Sequence, residues 1–484
     1  MRKYNKRASV FELINAGKCN LNCAYCYIPK TGAMNAMHND IVEYLSSGAF
    51  IEDMDLAIGA DLEAITLWGT EPTLTLDTFT EKVPELIERF PKLHHVGFSS
   101  NFISNTDSIV RLAEALPTGR EFELKVQYSL DGPPYITDET RGMKGVTSLI
   151  IQNLLKFFED VNALDLGDKE IHTNCKITWD SPIIHILGTD RSKVAELFDF
   201  FNSLHGDILA ILRDRADDNP FCPTYDKGME NLSVNLGACM SLGLPGHYTV
   251  EDGRKLAVIF NEIGRLYTTE RDRFPYIYGG FNRYVMDLCT LLDNREEIFE
   301  RPETYTCAAG DSEYGVDHKG YLHGCHRTFY LNDERYVTSV KGDNERQNWD
   351  KENFSSGKID AVNKNITAYV RDEYNKARLA YINSGFHYFV KHRHARIYSM
   401  VRLMAAAGQI NKIYSNESMA KMFSFFITKA FCCPISDYVD HHNFRATSLG
   451  LLRAFGNGAF EDMIDEVSKF KASFECANIR RQNE

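Results

Sequence analysis

Residues 9–27 read SVFELINAGKCNLNCAYCY. An apolar, β-branched run, 9–15, is followed within four residues by Cys19, Cys23 and Cys26, spaced C-x3-C-x2-C. The run predicts a strand, so the cysteines stand on the loop that leaves it. Three thiolates can hold three irons of a cubane cluster. The fourth iron then lacks a protein ligand, and an open metal position belongs to catalysis more than to structure. The competing reading is a zinc site with His38 as fourth ligand, although zinc knuckles usually come as paired C-x2-C units.

Outward from this stretch the pattern repeats. Short apolar runs at 64–68, 95–99, 123–130, 170–178 and 207–212 predict further strands. Amphipathic segments near 40–60, 77–89, 106–116, 145–160 and 191–204 predict the helices between them. Strand–helix alternation at this spacing means βαβ units and a parallel sheet, as a partial barrel or doubly wound. Residues 213–246 read as an irregular connector. Thr249 with Asp252 then signals a helix start ahead of an apolar stripe. Residues 300–330 read as short strands, and 358–430 as mostly helical.

The bulk numbers narrow the function classes. The chain has 484 residues, 44% apolar and 12% aromatic, enough for a large catalytic domain and a second unit. A net charge of −13 argues against a long nucleic-acid partner, which needs a positive surface. The basic start, Met1 to Arg7, leads into no apolar run of signal-peptide length, and no stretch of about 18 apolar residues occurs. The expected address is the cytoplasm. There, cysteines at tight spacing point to metal rather than to disulfides.

Cys19, Cys23, Tyr25 and Cys26 resemble the signature of the radical S-adenosylmethionine (SAM) superfamily, including the aromatic residue before the third cysteine. Three later segments are similar to that family's SAM-binding stretches. Gly69-Thr70-Glu71-Pro72 resembles Gly-Gly-Glu-Pro, which holds the SAM amino group, with Thr70 in place of the second glycine. Ser100-Asn101 resembles the Thr-Asn-Gly stretch. Ser129-Leu130-Asp131-Gly132-Pro133, with Arg141 and Gly145 beyond, is similar to the pattern of members with SPASM or twitch extensions. There the Ser is associated with the SAM ribose and the Arg with its carboxylate. Each segment alone also makes a good turn. In order, each after a predicted strand, they sit where parallel barrels build active sites.

The resemblance implies a fold: an α/β partial (β/α)6 TIM-like barrel, with a C-terminal, mostly helical, cysteine-bearing SPASM/twitch-like extension. The implied division is a radical SAM core over 1–212, a connector and helices over 213–300, and an auxiliary-cluster domain over 301–484 with a helical insertion at about 345–430. Cys307, Gly320 and Cys325 look like the opening of such a domain, but the C-x2-C-x5-C-x3-C run that should follow is missing. At most one auxiliary [4Fe–4S] cluster is expected, on Cys307, Cys325 and Cys432 or Cys433, with His441, His442 or Cys476 as candidate fourth ligands, or with the fourth position open. The bland alternative makes Cys307 and Cys325 core thiols. Cys175, Cys222, Cys239 and Cys289 lack spacing partners and read as core thiols.

The implied chemistry is reductive cleavage of SAM to a 5′-deoxyadenosyl radical that takes hydrogen from a substrate. A [4Fe–4S] cluster on Cys19, Cys23 and Cys26 and SAM are the expected cofactors, with a flavodoxin- or ferredoxin-type electron donor. Tyr25, Gly69, Thr70, Glu71, Pro72, Asn101, Ser129, Asp131 and Arg141 are the expected SAM-binding residues. The subgroup resembles enzymes that modify peptide or protein residues, and that is the expected substrate class. The alternatives are a small-molecule radical SAM dehydrogenase or epimerase, and a non-catalytic iron–sulfur or zinc scaffold. His326 stands where sulfatase-maturing members carry Asp, which argues against that activity and makes His326 a candidate acid or base.

Overall fold

Short, largely buried strands alternating with helices organise the first part of the chain. The computed structural model describes residues 9–26, 32–212, 232–235, 241–242, 313–323 and 355–358, with single positions at 255, 258, 259, 262, 266 and 270. These residues fall in two compact units. One takes residues 9–26, 32–176, 206–212, 232–235, 313–323 and 355–358. The other takes 177–205, 241–242 and the single positions.

The first unit is an α/β structure on a nine-stranded sheet. Its first five strands are β1 (Val10–Ala16), β2 (Ala64–Gly69), β3 (His95–Ser100), β4 (Phe122–Ser129) and β5 (Lys169–Lys176). Between them lie α1 (Gly32–Ser47), α2 (Ala49–Ala57), α3 (Leu76–Thr80), α4 (Val83–Arg89), α5 (Thr106–Ala115), α6 (Pro134–Thr140) and α7 (Val146–Asn162). These strands run parallel in chain order. The sixth parallel strand in the order predicted is not 207–212. That DILAIL segment is the end of a long helix, Ser192–Ile211, because a short apolar run reads alike as strand or buried helix. The strand that pairs with β5 is instead Leu232–Asn235, inside the segment read as irregular.

Two elements of the second unit precede that strand in the chain: a two-residue strand, β6 (Thr178–Trp179), and α8 (Ser181–Thr189). The long helix Ser192–Ile211 is α9, Leu232–Asn235 is β7, and Ser241–Leu242 is β8, which pairs with β6. Asp180 caps α8 by accepting the Ile183 N–H at 3.2 Å.

On the other edge, β9 (Glu313–Val316) adds parallel to β1, so the sheet holds seven parallel strands. An antiparallel hairpin continues through β10 (Tyr321–His323) to β11 (Ser355–Lys358). Gly320 takes φ 80 in the β9–β10 turn, which favours glycine. The Asp317 carboxylate accepts the Lys319 and Tyr321 N–H groups at 2.9 and 3.0 Å and pairs with His323 at 3.0 Å. The short strands expected over 300–330 are present at these positions.

Register aligns the core. Tyr314, Phe11, Ile65, Val96, Leu124 and Ile171 form one row across the sheet. Val316, Leu13, Leu67, Phe98, Val126 and Thr173 form the next. Every member of both rows is buried. Full burial of each such apolar side chain is worth about 1.5–3 kcal/mol. Phe102, Tyr128 and Phe157 meet edge to face with ring centroids 5.6–6.0 Å apart, joining the sheet to α7. The opposite face of β3 to β5 is polar: His95, Ser99, Glu123, Gln127, His172 and Asn174 are only partly covered. No helix among the described residues is long and apolar enough to cross a membrane.

Candidate functional site

Parallel strands place the loops after β1 to β4 at one edge of the sheet. Those loops carry the cysteines, Thr70–Pro72, Asn101 and Asp131. The β1–β2 pair is closest at its end. A Cβ on Gly69 would lie 2.7 Å from the Ala16 nitrogen and closer still to its oxygen. Only glycine permits that approach, which starts both loops side by side.

The cysteine loop is anchored at two points. On its first half, Asn101 Nδ2 donates to Asn20 Oδ1 at 2.7 Å and lies 3.7 Å from Cys19 Sγ. Asn20 Nδ2 in turn donates to Ser104 Oγ at 2.7 Å. On its second half, the Ala24 N–H donates to the Thr140 carbonyl at 2.9 Å, and the Tyr25 hydroxyl donates to Asp131 Oδ2 at 2.9 Å. Gly142, at φ 67, comes so close to the Asn22 carbonyl that a Cβ there would sit 3.0 Å from its oxygen.

Asp131 is fully buried. The Oδ2 atom that takes the Tyr25 hydroxyl also accepts from Thr140 Oγ1 at 3.1 Å. Arg141 Nε stands 2.9 Å from it as an ion pair, with the N–H off the line a hydrogen bond needs. The guanidinium also covers the Tyr25 ring at 5.8 Å. Burial opposes the Arg141 charge, and Asp131 first, then the Tyr25 and Cys23 atoms, more than offset it. Burial above all, with Asp131 and Cys23 added against the opposing Arg141, keeps the Tyr25 phenol protonated.

Glu71 links the second and third loops. Its Oε1 accepts from the Thr73 N–H and hydroxyl at 3.3 and 2.8 Å, and its Oε2 accepts the Asn101 N–H at 2.8 Å. Burial raises its pKa, and these bonds work against that rise. Pro72 begins a single 3-10 turn for which Glu71 is the cap, and the Thr75 hydroxyl donates to the Asn15 carbonyl at 2.6 Å. The Thr70 hydroxyl is buried without a hydrogen-bond partner.

After Asn101 the backbone turns through Phe102 at φ 57, the left-handed region that bulky residues rarely enter. The turn is held by Ser100 Oγ, which accepts the Phe102 N–H at 3.1 Å, and by Asn153, which donates to the Phe102 carbonyl at 2.9 Å. Ser129 ends β4, half-buried, in register with Lys176.

Cys19, Cys23 and Cys26 are half-buried, and none is in a disulfide. Three sulfurs on one loop match a cubane cluster in chemistry, and the buried, unpartnered Thr70 hydroxyl on the loop after β2 fits a polar ligand. Among the described residues no three His, Cys, Asp or Glu side chains stand together as a metal-holding group. His38, the alternative fourth ligand, is held near the start of the cysteine loop. Its Nδ1 accepts the Gly17 N–H at 3.4 Å, and burial, then Lys18, lowers its pKa. Cys175 is a core thiol that donates to the Leu130 carbonyl at 3.5 Å. Cys222, Cys239, Cys289, Cys307, Cys325, His326, Cys432, Cys433, His441, His442 and Cys476 lie outside the described residues, as do Thr249, Asp252 and the expected helices of 358–430.

Sequence reasoning singled out neither Asn20 nor Thr140. Asn20 carries a local signal, an amide inside the cysteine triplet. Thr140 has none, because its role comes from the approach of the α6 end to the cysteine loop. No protein-family model and no curated protein matches the chain.

Proposed function

We propose that this protein is a radical SAM enzyme. The observation that carries the reading is the bonding among the motif loops. The four segments that resemble the family's motifs follow β1, β2, β3 and β4 in order; Glu71 ties the second to the third, Asn101 the third to the first, and Asp131 the fourth to the first. Phe102 supports it further, for its left-handed backbone supplies the turn that the glycine of Thr-Asn-Gly would make. The strand order β1 to β5 and then β7 is compatible with a partial (β/α)6 barrel.

In this reading Cys19, Cys23 and Cys26 hold one [4Fe–4S] cluster, and SAM completes its open iron. When bound, and with the cluster reduced by an external electron donor, the pair would supply a 5′-deoxyadenosyl radical for hydrogen abstraction. The chain's own residues bind and orient. Glu71 and Thr70 offer acceptors for the SAM ammonium, and Asn101 holds the loops together beside Cys19. Ser129, at the end of β4, would serve the SAM ribose. Arg141 offers its remaining N–H donors to the carboxylate, a charge-assisted bond worth about 1.5–3 kcal/mol. The phenol of Tyr25 stays protonated and neutral beside the buried Asp131 carboxylate.

The β9–β10 hairpin lies between the positions of Cys307 and Cys325, and β9 pairs with the strand that leads to Cys19. That neighbourhood favours the SPASM/twitch-like extension with an auxiliary cluster, and with it a peptide or protein residue as substrate. The test is anaerobic reconstitution with iron and sulfide, then SAM and dithionite, assayed for 5′-deoxyadenosine. The product should form in the wild type and vanish in the Cys19, Cys23, Cys26 triple Ala variant. A reconstituted wild type that forms no cluster and no 5′-deoxyadenosine overturns the reading.

A further inference from the structure

The two halves of the cysteine loop are held by different machinery. The Cys19 half is tied by amides, Asn20 and Asn101, to the loop after β3. The Cys23 to Cys26 half is tied through one phenol to one buried carboxylate, with a backbone bond from Ala24 to Thr140 beside it. Asp131 has no exposure, and a carboxylate so placed needs compensation. Arg141, 3% exposed, supplies the charge, while the Thr140 and Tyr25 hydroxyls supply the hydrogen bonds. Tyr25 is the one member of this group on the cysteine loop. Its ring lies under the Arg141 guanidinium and its hydroxyl reaches Asp131, so both ends of the side chain are engaged.

We propose that Tyr25 is a positioning residue: anchored on Asp131, it latches the Cys23–Cys26 half of the loop to the corner between β4 and α6. The latch determines how readily these two thiols open to solvent and how firmly they retain a metal. It acts before any metal arrives, because every bond in it is between groups of the chain. It also links two tasks. Arg141 neutralises the latch and, in the function proposed above, takes the ligand carboxylate, so what the loop holds rests on that reading. The mechanical role of Tyr25 does not.

Tyr25→Phe tests this by keeping the ring over Arg141 and removing the one hydroxyl. Metal-free protein is treated with N-ethylmaleimide, and alkylation of each cysteine is followed by peptide mass spectrometry. Cys23 and Cys26 should react roughly tenfold faster than in the wild type, as expected when a hydrogen bond to a charged group is lost and a segment opens locally. Cys19, held by the amides, should change little, and buried Cys175 should stay protected. Equal acceleration at all four cysteines would mean general loosening and overturn the latch, as would no acceleration at all. Should Tyr25→Phe not fold, Asp131→Asn gives the same comparison, with a smaller preference for Cys23 and Cys26 expected.

A second arm follows iron release to a chelator from reconstituted protein. Tyr25→Phe should lose iron faster than the wild type. Equal release from both overturns the latch as a metal-retaining device. A wild type that assembles no cluster counts instead against the proposed function, and leaves the thiol measurement as the test of the latch.

Discussion

Glu71 Oε2 accepts the backbone N–H of Asn101 at 2.8 Å, across a separation of thirty residues. Neither residue is placed by its own loop alone. The carboxylate fixes where the β3 loop begins, and that loop carries the amide that reaches Cys19.

Glu71→Gln should therefore act on structure as well as on ligand binding. The amide must turn either its NH2 toward the Asn101 N–H or its NH2 toward Thr73, and one buried donor loses its partner either way. A loss of roughly 1–3 kcal/mol is expected from leaving such a group unsatisfied. Urea unfolding monitored by circular dichroism measures it. A midpoint equal to that of the wild type would show that the loops hold without the carboxylate.

Gly69→Ala should be worse than its size suggests. The added methyl meets Ala16 backbone, which has no rotamer to yield, so the β1 and β2 ends must part. Overpacking of this kind costs about 1–3 kcal/mol. The variant should also alkylate faster at Cys19, which stands three residues after Ala16. Thermal unfolding together with thiol mapping checks both expectations.

Arg141→Ala should weaken SAM binding tenfold or more, which corresponds to about 1.4 kcal/mol. It also strands the buried Asp131 carboxylate, so the variant should be less stable near neutral pH, with Asp131→Asn in the same chain recovering part of the loss. Isothermal titration gives the affinity and denaturant unfolding the stability. Unchanged affinity would remove Arg141 from the ligand site while leaving its pairing with Asp131 intact.

Acid should attack the polar face of the sheet. His95 Nδ1 and Glu123 Oε2 are 2.6 Å apart, with His172 3.6 Å from the other carboxylate oxygen. The His95 hydrogen bond above all, with the His95 and His172 charges, lowers the Glu123 pKa from 4.5 to about 2, against the effect of burial. A carboxylate with a depressed folded-state pKa adds stability above its unfolded value and loses it as pH falls toward its folded value. The contribution should thus be complete above about pH 4.5 and gone near pH 2. Glu123→Gln should flatten the stability profile in that window. A profile that matches the wild type there would show that the pair does not contribute.

Much of this was legible along the chain. The apolar runs marked β1 to β5: β4 and β5 alternate and show a period of two in any window, while β1, buried along nearly its whole length, shows by its apolar, β-branched content. The cysteine triplet and the Gly-Thr-Glu-Pro turn were legible because their chemistry is carried by neighbours in sequence. The 207–212 segment misled because its apolar run is too short to separate a strand from the end of a helix. β7 went unread because its four residues, LSVN, have no length in which to show a pattern.

Residue order thus set the strands, the order of the motif loops and the thiol chemistry, since each depends on bonds within a few residues. Tertiary pairing made those loops one site. Asp131 meets Tyr25 across 106 positions, Asn101 meets Cys19 across 82, and β9 reaches β1 across some three hundred. No local period records such contacts. They arise because parallel strands in register bring distant loops to one edge, where a buried carboxylate must find its cation and each buried N–H its acceptor.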